Sequence, residues 1–204
     1  MAYYMRKKTV QTILDVGCGS GEPMGFFKRK GNFFAVGVDI FIPYLRWCKA
    51  HNTHDDFVRC DVKFLPFKES SFDLVMSLEV IEHLTKKSAE EMLANFEKIA
   101  KFQVIISTPV GKQMQDELDE NQYQEHQSGW YPQDLLSLGY AVKGLGFPLI
   151  HGLRLTDLLP KQLNLLGHVF WLLSSPIFYS FPSSAGSMIC VKTIVSATIM
   201  RNRK

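Results

Sequence analysis

Apolar residues in the first half of the chain fall into short runs that alternate with stretches of helical period. "TILDVG" (12–17) is an apolar run closed by glycine, the pattern of a parallel strand buried on both faces. "EPMGFFKRKG" (22–31) fits a helix with Pro23 in its first turn and Gly31 at its end. "FFAVGVDI" (33–40) is a second buried strand, and "IPYLRWCKAHN" (42–52) a second helix with Pro43 near its start. "DFVRCDV" (56–62) and "SFDLVMSLEV" (71–80) are the third and fourth strands. "SAEEMLANFEKIAK" (88–101) is strongly amphipathic at the helical period, and "FQVIISTP" (102–109) is a fifth strand.

Strands that alternate with helices predict a parallel sheet covered on both faces, and right-handed crossovers make it a doubly wound α/β sheet. Beyond residue 110 the pattern is weaker. A polar stretch leads to a helix started by Pro132, a strand at "YAVKGLGF" (140–147) and a last apolar strand at "SMICVKTIV" (187–195). The expectation is a single domain over 1–204, with a core at 10–110 and a second segment at 111–204.

Composition changes this picture little. The 204 residues suit one domain with a sizeable core, and a net charge of +3 argues neither for nor against nucleic acid; the short basic clusters at 6–8 and 201–204 read as solvated ends. Cys18, Cys48, Cys60 and Cys190 form no C-x-x-C pair, so no metal site is expected, and a reducing, cytoplasmic setting is the default. The N-terminus has no apolar signal-like region. From Gln162 to Val191 there is no Asp, Glu, Lys or Arg. Gly167, His168, Ser174, Ser175 and Pro176 argue against a membrane span there. Three readings stay open for 162–191: core, an apolar acceptor pocket, or a peripheral membrane surface.

The chemistry collects at the strand ends, where ligands bind in doubly wound sheets. Strand one ends at Asp15 and its glycines, strand two at Asp39, strand three at Asp61 and strand four at "SLEVIEH". The glycines are Gly17, Gly19 and Gly21, spaced G-x-G-x-G rather than the G-x-G-x-x-G of dinucleotide sites. Asp15 and Glu22 flank them and would repel a pyrophosphate, which counts against a nicotinamide-dependent oxidoreductase. A carboxylate at Asp39 suits a ribose diol, since it accepts from both hydroxyls. The ligand that fits has a ribose and cationic groups and no phosphate: S-adenosylmethionine, with its ammonium and sulfonium.

"ILDVGCGSG", "VGVDI" and the unbroken "CDVKFLPFKESSFDLVMSLEVIEHL" resemble the motifs of class I S-adenosylmethionine-dependent methyltransferases, most closely the small-molecule group that includes quinone-biosynthesis enzymes. The resemblance covers roughly residues 12–110. It implies a mostly parallel seven-stranded sheet with an antiparallel last strand. It also implies a cofactor site of Asp15, Gly17, Cys18, Gly19, Gly21, Asp39, Ile40, Asp61, Val62, Ser77 and Leu78. Gly17 and Gly19 would admit the methionine part, and Asp15 would act on the ammonium through the loop or a water. Asp39 would hold the ribose, Ile40 would pack on adenine, and Asp61 with the Val62 backbone would bind its amino group. Ser77 and Leu78 would line the methionine side. Cys18 is a small residue that fits the loop, and Asp73 is structural.

Methyl transfer needs alignment more than a base. His83 and Glu79, four apart, would share a face if helical; His83 is either a base or a group that braces the site. Tyr123, Glu125, His126 and Trp130 are candidates for the acceptor side. No Asn/Asp-Pro-Pro-Tyr/Phe follows strand four, so an amino-methylating nucleic-acid enzyme is disfavoured. The expected acceptor is a small molecule, a lipid or a glycan intermediate, and no nucleic acid is expected as a partner. A non-catalytic cofactor-binding module and a nucleic-acid methyltransferase are the alternatives. About ten residues precede the first strand, fewer than the helix that often covers the cofactor in this class. An open site, or one completed by a partner or a homo-oligomer, is therefore expected.

Overall fold

The computed structural model describes residues 10–115, 121–145 and 176–194. Its strands are β1 (Thr12–Val16), β2 (Phe34–Asp39), β3 (Asp56–Arg59), β4 (Phe72–Leu78), β5 (Ala100–Pro109), β6 (Ala141–Leu145) and β7 (Ser187–Thr193). The helices are α1 (Glu22–Lys28), α2 (Ile42–Ala50), α3 (Lys86–Ile99) and α4 (Pro132–Ser137). The seven strands are ordered β3-β2-β1-β4-β5-β7-β6. β1 pairs in parallel with both β2 and β4, β2 with β3, and β7 runs antiparallel to β6. The parallel part is the doubly wound sheet expected from the alternation, and the seven strands with an antiparallel end are what the resemblance implied.

The chain divides into two compact units, one of Met1–Val80, Lys87–Ile106 and Lys192–Lys204, the other of Ile81–Lys86 and Ser107–Val191. In the first unit the apolar runs are buried: Ile13, Leu14 and Val16 of β1, Ala35, Val36 and Val38 of β2, Leu74, Val75 and Met76 of β4. Uninterrupted apolar strands of this kind bury both faces. α3 buries Ala89, Met92, Leu93, Phe96 and Ile99, the three-and-four spacing of one helical stripe. Asp73 is structural, as expected. Its Oδ2 accepts from the Gln11 and Thr12 amides at 2.9 and 3.0 Å, and Lys101 Nζ lies 3.1 Å from Oδ1.

The order of strands reverses at β1, whose neighbours are β2 and β4. That switch point is where a doubly wound sheet opens a crevice at its carboxyl edge. Register sets what meets there: Val16 is level with Val38, and Asp15 lies between Gly37 and Met76. β3 is shorter than the pattern predicts. Asp61 ends it by forming a turn, with Oδ1 accepting from the Lys63 amide at 2.9 Å and its carbonyl accepting from Phe64 at 2.9 Å.

The second unit buries Trp130, Leu135 and Tyr140, and β7 buries Met188 to Val191. Of the uncharged stretch 162–191, residues 162–175 lie outside the described residues. Its remainder includes exposed Ile177 and Phe181 before β7. Among the described residues, no helix is long and apolar enough to cross a membrane.

Candidate active site

The glycines after β1 alternate because the backbone does. Gly17, Gly19 and Gly21 have φ of 68°, 51° and 70°, all in the left-handed region where a Cβ is strained. A side chain at Gly17 would also drive a Cβ to 2.5 Å from Val80 Cγ2. The Gly17 and Cys18 amides donate to the Val38 carbonyl at 2.8 and 2.9 Å, which bends the turn toward the end of β2. At Gly19 a Cβ would meet nothing within 4 Å, so the turn presents bare backbone to open space there. This is the cradle a close-lying ligand needs.

Asp39 ends β2 and is buried. Its Oδ2 accepts from the Gly19 amide at 2.9 Å and its Oδ1 from the Phe41 amide at 2.8 Å. Burial pushes its carboxyl pKa up, and these amides pull against that shift. Each carboxylate oxygen has capacity for a second donor, so both can receive a ribose hydroxyl while staying fixed to the backbone. Ser77, at the end of β4, is fully buried and donates from Oγ to the Val16 carbonyl at 2.9 Å, locking β4 to β1. Ile40, Asp61, Val62 and Leu78 are half-buried around the same strand ends. Asp61 also pairs with Lys63 at 3.2 Å.

Asp15 lies beneath the turn. It is buried, and its Oδ2 meets His54 Nε2 at 3.0 Å. Its carboxylate faces inward, which fits an action on the ligand through the loop rather than by direct contact. Cys18 is buried beneath the turn, its Sγ on the side of Gly37. His54 and Thr53 were not legible in the sequence. "HNTHDDF" has the composition of a solvated loop, and nothing in its spacing marks a buried histidine.

The segment after β4 differs from the helical expectation. Glu79 has a φ of 54°, is exposed, and precedes a short 3₁₀ turn at Ile81–His83. Glu79 and His83 are therefore not consecutive turns of one helix, and the shared face is lost. Trp130 is also corrected: it is fully buried, and Nε1 donates to Ser128 Oγ at 2.9 Å. It is a core residue rather than an acceptor contact. Tyr123 and Glu125 are exposed, and His126 is half-buried.

In the second unit, Glu82, His83 and His126 offer ligand atoms that all lie within 4.8 Å of one another. No metal site was expected from the sequence, which has no C-x-x-C pair; Glu82 and His83 are adjacent, and only the fold brings His126 to them. Glu82 is buried and its Oε2 accepts from Thr108 Oγ1 at 2.9 Å. His83 Nδ1 lies 3.2 Å from the Glu125 carbonyl, and His126 Nδ1 lies 2.9 Å from the Gln113 carbonyl. A carbonyl can only accept, so each Nδ1 carries a proton. Rings fixed this way through Nδ1 are typical of metal ligands. Two imidazoles and a carboxylate suit a divalent transition ion.

Residues 13–102 match the family described as methyltransferase domain. Over 135 residues, 66% of the chain, it is 27% identical to malonyl-[acyl-carrier protein] O-methyltransferase of Erwinia billingiae and spans 50% of that protein. Over 86 residues it is 31% identical to tRNA (carboxymethyluridine(34)-5-O)-methyltransferase of Arabidopsis thaliana, spanning 40% of this chain and 20% of that one. The chain thus spans half or less of the length of these two relatives. A crystallised SAM-dependent methyltransferase from Archaeoglobus fulgidus superposes with a TM-score of 0.60 at 19% identity, covering 94% of this chain and 90% of that one. Magnesium protoporphyrin IX methyltransferase from Synechocystis with bound SAM superposes at 0.58 and 15% identity, covering 95% of this chain and 76% of that one. At such identities the superpositions speak for the fold. With the motif turn and the buried Asp39, the match over residues 13–102 makes that stretch similar to S-adenosylmethionine-dependent methyltransferases, whose fold the superpositions share.

Proposed function

We propose that the protein transfers the methyl group of S-adenosylmethionine to a small-molecule, lipid-linked or glycan-intermediate acceptor. The observation that carries the transfer is Asp39, a buried carboxylate tied by Gly19 and Phe41 amides beside a turn of left-handed glycines. That arrangement supports a ribose held at one end and a methionine chain laid over bare backbone. S-adenosylmethionine supplies a methyl carbon on a sulfonium, a leaving group that departs as a neutral thioether. The protein's task is to hold that carbon in line with an acceptor lone pair, and orientation alone is worth on the order of 7–11 kcal/mol at best.

The malonyl-acyl-carrier relative aligns with more of this chain than the tRNA enzyme does, 135 against 86 residues, which favours a small or carrier-bound acceptor. The tRNA relative keeps RNA as a second reading. Glu82, His83 and His126 support two chemistries on the acceptor side. In the first, His83 is the base that takes the acceptor's proton. The same three groups can instead seat a divalent cation that lowers the acceptor's pKa.

The test is transfer of isotope-labelled methyl from S-adenosylmethionine across small hydroxylated, carrier-bound and glycan acceptors, with tRNA as a separate arm. Each arm is run with Mn²⁺ and with chelator. Labelled small acceptors support the proposal, and label confined to tRNA favours the second reading. Activity that vanishes with chelator assigns the cluster to a cation, and activity indifferent to it assigns His83 as base. Cofactor binding with no transfer in any arm overturns the enzymatic reading.

A further inference from the structure

Three polar side chains lie buried in the first unit beneath the cofactor turn, and the proposed transfer uses none of them: Thr53, His54 and Asp15. The His54 ring is fully buried in the loop between α2 and β3. Its Nε2 meets Asp15 Oδ2 at 3.0 Å, and its Nδ1 meets Thr53 Oγ1 at 2.8 Å. The partners admit two proton counts. Thr53 Oγ1 either donates to Nδ1 at 2.8 Å, leaving a neutral ring that donates from Nε2 to Asp15, or donates to the Cys48 carbonyl at 3.4 Å and accepts from a doubly protonated ring. Burial pushes the Asp15 carboxyl up, while against its own burial the hydrogen bonds and charges of Asp15 and Cys48 raise His54 and favour the imidazolium.

The three residues also back onto the turn at both ends. Asp15 lies in β1 just ahead of Gly17. At the far end, a Cβ on Gly21 would fall 2.5 Å from Thr53 Oγ1. On β2, Gly37 leaves the room the ring occupies, since a Cβ there would lie 3.1 Å from His54 Cδ2. The ring edge packs on Phe57 of β3 with centroids 5.5 Å apart.

We infer that His54 is a positioning residue for S-adenosylmethionine: as a buried cation it neutralises Asp15 and, with Thr53, holds the Gly17–Gly21 turn in the shape that receives the cofactor. The inference rests on the reading of that turn as the cofactor cradle. Without the cation, Asp15 is a buried charge with no counter-ion, and it either takes up a proton or draws in water. Either outcome moves the strand end from which the turn springs.

The groups that face His54 are few. Asp15 comes from β1, the Cys48 thiol from α2, and Asp55 from the same loop, itself paired with Lys28 of α1. Burial alone would lower the His54 pKa, but the hydrogen bonds and charges of Asp15 and Cys48 carry it up to about 9. The hydrogen bond from Cys18 draws the Cys48 thiol down to about 5, so its titration falls in a different window. The cation is therefore present at neutral pH and is lost as pH rises through about 9.

The test is calorimetric titration of wild type and His54→Gln with S-adenosylhomocysteine from about pH 6 to about pH 10. Glutamine keeps a donor and much of the volume but carries no charge. The variant should bind about tenfold more weakly at neutral pH. The two affinities should converge as pH rises through about 9. The ligand's own amine titrates in both proteins and cancels in the ratio. A ratio near one throughout, or a reduced affinity that never converges, overturns the role of His54. Wild type that fails to bind at any pH overturns the cradle reading instead. Wild-type protein also gives a direct readout that does not depend on how the variant folds. A nitrogen–proton correlation of the His54 ring should show protons on both nitrogens at neutral pH, and one bare nitrogen overturns the inference.

Discussion

The two units of this chain build their polar sites by opposite means. In the first, the functional groups are backbone amides and carboxylates pinned by backbone amides: Gly19 to Asp39, Phe41 to Asp39, Val38 to the Gly17–Cys18 peptide. In the second, the cluster of Glu82, His83 and His126 is a meeting of side chains, aimed by carbonyls of Glu125 and Gln113 and by the Thr108 hydroxyl. A site made of backbone must be written as a local motif, because φ > 0 at alternate residues needs glycine at alternate residues. A site made of side chains from distant loops leaves no such spacing. The first kind recurs wherever its ligand does, and the second can be replaced loop by loop.

The largest effect should come from the backbone-pinned site. Asp39→Ala removes two acceptors for ribose hydroxyls and releases Gly19 and Phe41. Two hydrogen bonds to a charged group are worth about 3–6 kcal/mol together, so S-adenosylhomocysteine affinity should fall by about 100-fold or more. Calorimetry reads this directly. Loss of less than a few-fold would mean that Asp39 shapes the turn without touching the ligand.

The matching change in the side-chain site is His126→Ala. It removes one of three candidate ligands and should weaken Mn²⁺ binding by about 100-fold, while cofactor affinity stays within about twofold. Equal loss of both would show that the two sites do not act separately. Wild type that binds no divalent ion would remove the cation reading and leave His83 as the base.

The two units should also part company in pH. In the first, His54 is raised to about 9 from 6.5, so its stabilisation is complete below the lower value and disappears as pH rises through about 9. The rise corresponds to at most about 3.5 kcal/mol, and the upward shift of Asp15 offsets part of it. Hydrogen exchange at pH 7 and above pH 9 should show protection falling in β1 and β2. The second unit has Asp134 depressed, because the Lys86 hydrogen bond and charge and the Tyr131 amide outweigh burial. That contribution is present above the ordinary carboxylate pKa and is lost on acidification, so β6 and α4 should keep their protection at alkaline pH. Uniform loss across both units would mean that they unfold as one.

What the sequence made legible follows the same division. The parallel strands, the glycine turn and the place of Asp39 at the end of β2 came from periodicity and spacing, because each is fixed within a few residues of its own strand. Asp15 was placed correctly at the end of β1, but the side chain it meets was not foreseen. Its partner His54 is 39 residues away, and only the fold makes them neighbours. Glu79 and His83 were placed on one helix face, which holds only if the chain is helical there. A left-handed residue at Glu79 followed by a tight turn breaks the period.

Trp130 shows the same limit on a smaller scale and sets the smallest of these effects. An aromatic among polar residues in "EHQSGWYP" suggests a contact surface, yet the ring is fully buried and its N–H is held by Ser128 Oγ at 2.9 Å. Trp130→Phe keeps an aromatic ring in the core and removes only the donor. The cost should be about 1 kcal/mol for the lost hydrogen bond, with a similar term for the smaller ring. Thermal unfolding should therefore shift down by a few degrees. If Trp130 packs the second unit and does nothing else, cofactor affinity should be unchanged and KM for any acceptor found should move less than about twofold. A rise in KM with an unchanged melting temperature would return Trp130 to the acceptor surface. The second unit would then be built, like the first, around a residue that the sequence had marked.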